Sequence, residues 1–435
     1  MQHVLQAGLS SGMSAVTGIH SGKHTKPNPV DPSFDGLAAV MPEDWIPTTD
    51  KKVVYKGKNG DVHAPQLCIG AWSWGDTSTW HWKPEEEPHV VAAWKYCVSK
   101  GVNFIDTAQV YGTGMSETIC GRLVKDMPRD SFVMQDKYFV VPQAKDVLHP
   151  TMAPLKKLET SLKNFGLDYI DIYLVHGPIH LQTIPMIAKG MAECVEKGMT
   201  RTVGVANYSL VDMIKMQDEL AKYGVPLAIN QVEFSVLRRE PELSGLLQAC
   251  KERGIVLQSY SSLAQGRLTG KYTSDNPPPK TYRFSSYDMK DIEPVNLVLK
   301  KIADKHGVPQ SAVALNYNMC KGITPVCGVR KEEQAVSNCA ALGWRLSNEE
   351  IRKIDGVSFH GHTTSLWQQV RVITDPAPAV DLGKIVHPRF RCFGLDYYVY
   401  IEPLVIIMNP YSFDGNLEIL APSALRGSGT VQICA

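Results

Sequence analysis

Four ionisable side chains in the first half of the chain have the types needed to move a proton. Asp106, Lys137 and His176 each lie in or at the end of an apolar run, and Tyr111 follows Asp106 closely. A phenol has an ordinary pKa of about 10, too high for an efficient acid at neutral pH, but a neighbouring ammonium lowers that pKa. A carboxylate keeps the ammonium charged when it is buried. We therefore expect a tyrosine acid supported by Lys137 and Asp106, with His176 beside it to bind a substrate oxygen.

Each of these residues also has an ordinary structural interpretation. Asp106 could cap a following helix, Tyr111 could be a packed aromatic, and His176 could be satisfied within the fold. Lys137 is harder to explain in that way, because a lone lysine inside an apolar strand is costly. The coincidence of all four at three successive strand ends favours a shared function.

The elements that would position these residues alternate between short β-rich runs and amphipathic helical stretches. Eight strands are predicted, at 67–72, 103–106, 132–139, 169–175, 201–206, 227–232, 255–260 and 323–328. Such strand–helix repeats are typical of an α/β protein that closes into a (β/α)8 TIM barrel, whose active site lies at the carboxyl ends of the strands. The first turn reads GAWSWG, which does not match the G-x-G-x-x-G of a doubly wound nucleotide-binding sheet. A β-hairpin that turns at Lys58–Gly60 is predicted to precede the barrel.

Seven segments of the sequence resemble the aldo-keto reductase family, in order along residues 52–370. They are NFIDTAQVYGTGMSETICGRLV, MQDKYF, DIYLVHGP, VGVANYS, NQVEFSVLRRE, LQSYSSLAQGRLTGKY and GVRKEEQAVSNCAALGWRL. GAWSWGD, AQGRLTGKYTSDNPPP and LGWRLSNEE look most like the plastid-type members of plants and algae. The resemblance implies a metal-free reductase of aldehydes and ketones to alcohols, with NADP(H) as cofactor and a small carbonyl compound as substrate. In that scheme Tyr111 is the general acid, Lys137 and Asp106 support it, His176 orients the carbonyl, and the nicotinamide supplies hydride.

The same resemblance implies a set of cofactor-binding residues in the second half of the chain. They are Asn207, Gln231, Tyr260, Ser261, Leu263, Gln265, Gly266, Lys271, Arg283, Gly328, Arg330, Gln334 and Asn338. Local chemistry agrees for the last turn, because a helix that begins near Lys331 attracts an anion and Arg330 adds positive charge for a 2′-phosphate. The alternative for this turn is an ordinary solvated helix start. Ser262 departs from the proline that is usual in the family, and no catalytic position is lost.

The first predicted strand–helix loop is rich in tryptophan. Trp72, Trp74, Trp80 and Trp82 lie between the first strand and the Pro84–Pro88 segment. Facing the mouth of the barrel, they would form an apolar wall for a substrate. The alternative is a loop that packs on itself. We expect a substrate contact from Trp72 and leave the role of the other three open.

Composition excludes several other classes of function. The chain has 45 Lys and Arg against 44 Asp and Glu, without the basic excess of a nucleic-acid-binding protein. No run of 18 apolar residues predicts a membrane span, and no secretory signal is present. The ten cysteines form no C-x-x-C pair, which argues against a zinc ribbon and favours buried free thiols.

Two terminal segments fall outside the barrel pattern. Residues 1–51 are interpreted as a leader, because the first 30 residues contain no Asp or Glu; it would be a plastid transit peptide or a plain disordered leader of a cytosolic protein. Residues 371–435 match nothing in the family and are predicted to be poorly ordered, either an interaction segment or an extension from an altered reading of the gene. An alternative function for the whole chain is a cofactor-binding regulatory protein, like a channel subunit, with slow redox chemistry.

Overall fold

The computed structural model describes residues 27–139, 152–178, 182–278 and 287–361, and the backbone of 390–392 and 395–397. The first ten strands are β1 (Val53–Tyr55), β2 (Val62–Ala64), β3 (Cys68–Gly70), β4 (Phe104–Asp106), β5 (Val133–Tyr138), β6 (Ile170–Val175), β7 (Thr200–Ala206), β8 (Leu227–Glu233), β9 (Val256–Tyr260) and β10 (Thr324–Gly328). Strands β3 to β10 close into a barrel in the order β10-β3-β4-β5-β6-β7-β8-β9. Neighbouring strands of the barrel pair in parallel, as β5 and β6 do through Lys137 and Leu174. The predicted barrel is confirmed, and each predicted strand coincides with an observed one.

The helices between the strands form the outer layer of the barrel. They are α1 (Glu87–Ser99), α2 (Met115–Val124), α3 (Ala153–Phe165), α4 (Ile184–Glu196), α5 (Leu210–Ala221), α6 (Glu240–Leu243), α7 (Leu246–Glu252), α8 (Met289–His306), α9 (Gln310–Cys320), α10 (Glu332–Cys339) and α11 (Asn348–Asp355). Gly166 ends α3 in the left-handed conformation (φ 68°), which a residue without Cβ adopts at no steric cost. The sequence KNFG predicted this stop.

The hairpin of β1 and β2 covers the amino ends of the barrel strands. Its strands pair antiparallel, with Val54 opposite His63. Tyr55 packs edge-on against Phe104 at the start of β4, with ring centroids 5.9 Å apart. Both rings belong to a buried apolar cluster that also contains Val133, Ile172 and Ile229 of the barrel strands.

Residues 27–51 pack against the barrel. The backbone N–H of His360 donates to the carbonyl of Asn28 at 2.8 Å, and the N–H of Met41 donates to Cys320 at 2.7 Å. The N–H of Gly343 donates to Pro47 at 2.8 Å. These contacts extend the packed body beyond the leader boundary predicted at residue 51, while residues 1–26 of that leader lie outside the described residues.

The chain divides into two units, residues 1–374 and 375–435. In the second unit the structure describes an antiparallel pair, β11 (Phe390–Cys392) with β12 (Leu395–Tyr397). The remainder of the predicted C-terminal extension lies outside the described residues. Across the described part of the chain, every helix is too short or too polar to span a membrane.

Candidate active site

Lys137 occupies the centre of a polar cluster at the carboxyl end of the barrel. Its ammonium lies 2.8 Å from Asp106 Oδ2, donates to the carbonyl of Thr107 at 2.7 Å, and lies 3.3 Å from the hydroxyl of Tyr111. The lysine is fully buried and Asp106 nearly so. Burial acts to lower the pKa of Lys137, but the charge of Asp106 and the hydrogen bonds of Asp106 and Tyr111 outweigh it and raise that pKa. The ammonium is therefore charged beside the phenol at neutral pH.

Strand register explains why these groups meet. Asp106, the last residue of β4, pairs with Gln135 of β5. Successive side chains of a strand alternate between its two faces, so Gln135 and Lys137 both point into the barrel. Tyr111 follows β4 in a tight turn in which Gly112 has φ 55°; a Cβ on Gly112 would lie 2.6 Å from the backbone of Gly75. The turn therefore needs glycine to bring Tyr111 against the first strand–helix loop.

His176 completes the group at the end of β6. Its ring lies edge-on to Tyr111, with centroids 5.6 Å apart, and edge-on to Phe139 at 5.8 Å. Its backbone N–H donates to the carbonyl of Tyr138 at 3.0 Å, which holds it level with the end of β5. Tyr111 and His176 are both partly exposed, so two polar rings border the mouth of the barrel above buried Lys137.

Gln135 and Gln258, two glutamines inside the barrel, were not singled out by the sequence analysis. The amide nitrogen of Gln135 donates to Asp106 Oδ1 at 2.6 Å and to Gln258 Oε1 at 2.7 Å. Gln231 makes the same pair of contacts, at 3.2 Å to Asp106 and 2.6 Å to Gln258. The position of Gln135, two residues before Lys137 on the same face of a buried strand, could have indicated that its amide lies in the same polar cluster. These amides fix the Asp106 carboxylate that pairs with the ammonium.

The tryptophan loop, defined as residues 71–86, lies beside the tyrosine. Trp72 is 6.2 Å from Tyr111 and packs edge-on against Trp80 at 5.3 Å, both measured between ring centroids. Trp74 is buried and donates its indole N–H to the carbonyl of Val329 at 2.6 Å, and Trp82 is also buried. Trp72 therefore lies where a substrate contact was expected, whereas Trp74 and Trp82 serve to pack the loop.

Asn207 and Tyr260 lie together on the other side of His176. The Tyr260 hydroxyl donates to Asn207 Oδ1 at 2.8 Å, and Asn207 Nδ2 donates to the carbonyl of His176 at 3.3 Å. Asn207 has φ 61°, in the left-handed region that asparagine adopts more readily than most residues other than glycine. Gln231, which was also predicted to bind the cofactor, donates its amide nitrogen to Gln258 Oε1 at 2.6 Å, and its role toward the cofactor stays a prediction.

The loop after β9 has an unusual backbone. Ser261, Ala264 and Gln265 have φ of 53°, 47° and 54°, and Gly266 has φ of 87°. Leu263 lies between them and is partly exposed, and exposed Lys271 follows with its ammonium 5.2 Å from the ring centre of Tyr272. Ser262 is buried and joins the loop to β10 through the carbonyl of Val326 at 3.3 Å. Arg283 lies outside the described residues.

The turn after β10 leads into α10. Gln334 Oε1 accepts from the backbone N–H groups of Arg330 at 2.7 Å and Lys331 at 3.2 Å, so this side chain caps the helix start. Asn338 is buried and faces the carbonyl of Gly328 at 3.5 Å. A Cβ built on Gly328 would meet no atom within 4 Å, so open space borders this strand end.

These residues suit a phosphorylated dinucleotide. Amide and hydroxyl groups at Asn207 and Tyr260 can bind a carboxamide, and cations at Lys271, Arg330 and Lys331 can bind phosphates. The open space at Gly328 leaves room for part of such a ligand beside Arg330. Among the described residues, no cluster of three or more His, Cys, Asp or Glu side chains could hold a metal ion.

Known proteins show the same architecture. The model of the Aldo/keto reductase family matches residues 66–358. The chain is 31% identical over 321 residues to a chloroplastic pyridoxal reductase of Arabidopsis thaliana, covering 69% of this chain and 85% of the relative. Among solved structures, a thermostable aldo-keto reductase in complex with epalrestat superposes with a TM-score of 0.58 at 25% identity, covering 70% of this chain and 100% of the other. An aldo-keto reductase from Klebsiella pneumoniae in complex with NADP and acetate gives a TM-score of 0.57 at 22% identity, covering 74% and 100%. Because the family model covers more than half of the sequence, this chain belongs to the aldo/keto reductase family of oxidoreductases, which act on carbonyl compounds.

Proposed function

We propose that the protein is an NADPH-dependent reductase that converts aldehydes or ketones to alcohols, with Tyr111 as the general acid. One observation supports this above the others: the ammonium of buried Lys137 lies between the Asp106 carboxylate and the hydroxyl of partly exposed Tyr111. An opposite charge at this distance favours the ionised phenol and so makes Tyr111 a stronger acid. The same charge stabilises the phenolate that remains after proton transfer.

The roles of the other residues follow from their positions. A carbonyl oxygen at the mouth of the barrel would accept hydrogen bonds from Tyr111 and His176, while Trp72 would pack against the carbon skeleton of the substrate. The reduced nicotinamide, when bound, supplies hydride to the carbonyl carbon. Tyr111 protonates the oxygen, and Lys137 with Asp106 keeps the positive charge beside the phenolate until a proton returns from solvent.

The cofactor assignment rests on the residues between β7 and α10. Asn207 and Gln231 would hold the carboxamide, and Tyr260 would stack on the nicotinamide ring. The loop of Ser261, Leu263, Gln265 and Gly266 would follow the pyrophosphate. Lys271 and Arg330 would bind phosphate groups. Gln334 and Asn338 would line the adenosine end. The family resemblance also implies that Arg283 binds the cofactor.

The test is an assay of NADPH oxidation with a panel of carbonyls that includes nitrobenzaldehyde, methylglyoxal and pyridoxal. We expect turnover with at least one aldehyde, and a loss of about 100-fold or more in kcat for Tyr111→Phe, as for removal of a general acid. Tyr317→Phe, at a buried tyrosine that bonds to Asp355 and not to Lys137, is the matched control and should keep kcat. Full activity of Tyr111→Phe would contradict the proposal. Tight NADPH binding with turnover far below about 1 per second would favour the regulatory alternative instead.

We further propose a plastid location. The acid-poor first 30 residues and the chloroplastic relative support it. A fluorescent fusion of residues 1–51, compared in plant cells with a fusion that lacks residues 1–26, tests the proposal. Plastid import of the first fusion alone is expected, and cytosolic fluorescence from both would refute a plastid location.

A further inference from the structure

Arg330, which the family resemblance assigns to the cofactor, is held by the tryptophan loop. Its Nη1 donates to the carbonyl of Trp80 at 3.1 Å, and its Nη2 forms an ion pair with the carboxylate of Glu86. The guanidinium also faces the ring of Trp82, 5.9 Å from its centre. Three contacts from residues 80–86 therefore fix one side chain that follows β10.

Two backbone N–H groups at this turn are already engaged and do not face an anion. The N–H groups of Arg330 and Lys331 both donate to Gln334 Oε1. The side chains of Arg330 and exposed Lys331 are therefore the sources of positive charge close to the strand end, and Glu86 neutralises Arg330. Both partners are about a quarter exposed, 24% for Arg330 and 26% for Glu86, so an anion from solvent can reach the guanidinium and displace the carboxylate.

We propose that Glu86 competes with a phosphate monoester for Arg330, and that it thereby sets the preference for a dinucleotide with a 2′-phosphate over one with a 2′-hydroxyl. The inference rests on the proposed function and adds a specificity-determining residue to it. A 2′-phosphate gains Nη2 of the guanidinium only when the Glu86 pair opens. A dinucleotide with a 2′-hydroxyl leaves the pair intact. Glu86 therefore weakens the binding of the 2′-phosphate dinucleotide and does not affect the binding of the 2′-hydroxyl dinucleotide.

The neighbouring carboxylates provide a matched control. Glu87 is engaged elsewhere, because Arg122 donates to both of its oxygens, at 2.6 and 2.7 Å. Glu85 lies in the same turn as Glu86 and is exposed. Glu85→Gln therefore removes the same charge one residue away from the pair, and separates a local contact from a general change of electrostatic potential.

The experiment measures the dissociation constants of NADP+ and NAD+ by tryptophan fluorescence for the full chain, Glu86→Gln, Glu85→Gln, Arg330→Gln and the Glu86→Gln/Arg330→Gln double variant. For Glu86→Gln we expect NADP+ to bind about fivefold more tightly, which corresponds to about 1 kcal/mol, while NAD+ changes by less than about twofold. Glu85→Gln should leave both constants unchanged. In the Arg330→Gln background, Glu86→Gln should have no further effect, because the competition has been removed.

Other results would overturn the inference in distinguishable ways. An NADP+ to NAD+ ratio in Glu86→Gln equal to that of the unmodified protein would show that no competition occurs. Weaker binding of both dinucleotides would show that the pair supports the loop instead. If the unmodified protein bound neither dinucleotide, the proposed function itself would be wrong, and the inference with it.

Discussion

Among the residues that the structure describes, Lys137 and Lys321 are completely buried, and only Lys137 lies at the candidate active site. Lys137 lies inside the barrel with Asp106 at 2.8 Å. Lys321 lies outside it, after α9, with Glu242 at 2.8 Å and Asp355 at 3.1 Å. In both places the cost of burying an ammonium is offset by carboxylates within hydrogen-bonding distance.

The tyrosine beside each lysine distinguishes the two clusters. Tyr111 is partly exposed, and its hydroxyl can meet a substrate. Tyr317 is fully buried, its ring centre lies 5.3 Å from the Lys321 ammonium, and its hydroxyl donates to Asp355 at 2.5 Å. Burial raises the pKa of Tyr317, which makes it a weaker acid. Both clusters thus contain a buried lysine paired with a carboxylate. They differ in the exposure of the tyrosine, so only the cluster around Lys137 is a candidate for catalysis.

The Lys321 cluster also connects distant parts of the chain. Arg239 forms ion pairs with Glu242 at 2.7 Å and Asp355 at 3.1 Å, so two cations face two carboxylates. The Lys321 ammonium also donates to the carbonyl of Gly36 in the N-terminal segment. These contacts join α6, α11 and residues 27–51, which is a structural role.

The largest expected effect comes from Lys137→Met. Removing the ammonium takes away the charge that strengthens Tyr111 as an acid, so kcat of the folded protein should fall by about 100-fold to 10,000-fold. Stability should fall as well, because Asp106 loses its counter-charge. Steady-state kinetics, corrected for the folded fraction by circular dichroism, measures the effect. A kcat within tenfold of the unmodified protein would contradict the assigned role.

Lys321→Met should reverse this pattern. Two carboxylates lose one of their two cations in a buried site, so the free energy of unfolding should fall by about 3–5 kcal/mol. The folded fraction should keep its kcat, because the ammonium of Lys321 bonds to Glu242, Asp355 and the carbonyl of Gly36 and not to the groups around Tyr111. Urea unfolding and kinetics on the same samples test both parts. A large loss of kcat in the folded fraction would show that the two clusters are coupled.

The smallest expected effect is that of Glu350→Gln, in the first turn of α11. Burial acts to raise the pKa of Glu350, but hydrogen bonds from Lys305, the Ser347 backbone and His306 outweigh it and lower the pKa from 4.5 to about 2. A lowered pKa means that the stabilisation is complete above pH 4.5 and is lost as the pH falls toward 2. Glu350→Gln should therefore cost about 1 kcal/mol of unfolding free energy at pH 7, and the difference should shrink below pH 4.5. A difference that stays constant down to pH 2 would contradict the ion-pair account, and kcat at pH 7 should be unaffected.

The sequence was sufficient to predict the barrel and the position of Lys137 in a barrel strand. The alternation of strands with helices, and a lysine within an apolar strand, are both visible in short stretches of sequence. The sequence was not sufficient for Lys321, whose position between α9 and β10 looks like an ordinary charged turn and whose partners lie far away in the sequence. The same reason applies to the pair of Glu86 and Arg330, which are 244 residues apart. A motif gives a residue's strand and not its side-chain contacts, so the bond from the Gln231 amide to Asp106 could not be predicted.

The most direct test of the central claim is the titration of Tyr111 itself. Protein labelled with 13C at tyrosine Cζ gives a resonance for this phenol, which is assigned by its absence in Tyr111→Phe. Tyr111 should lose its proton at a lower pH in the unmodified protein than in Lys137→Met, because only the former has an ammonium beside the phenol. Lys321→Met should leave this titration unchanged. Titration at the same pH with and without Lys137 would contradict the claim that this lysine makes Tyr111 the acid.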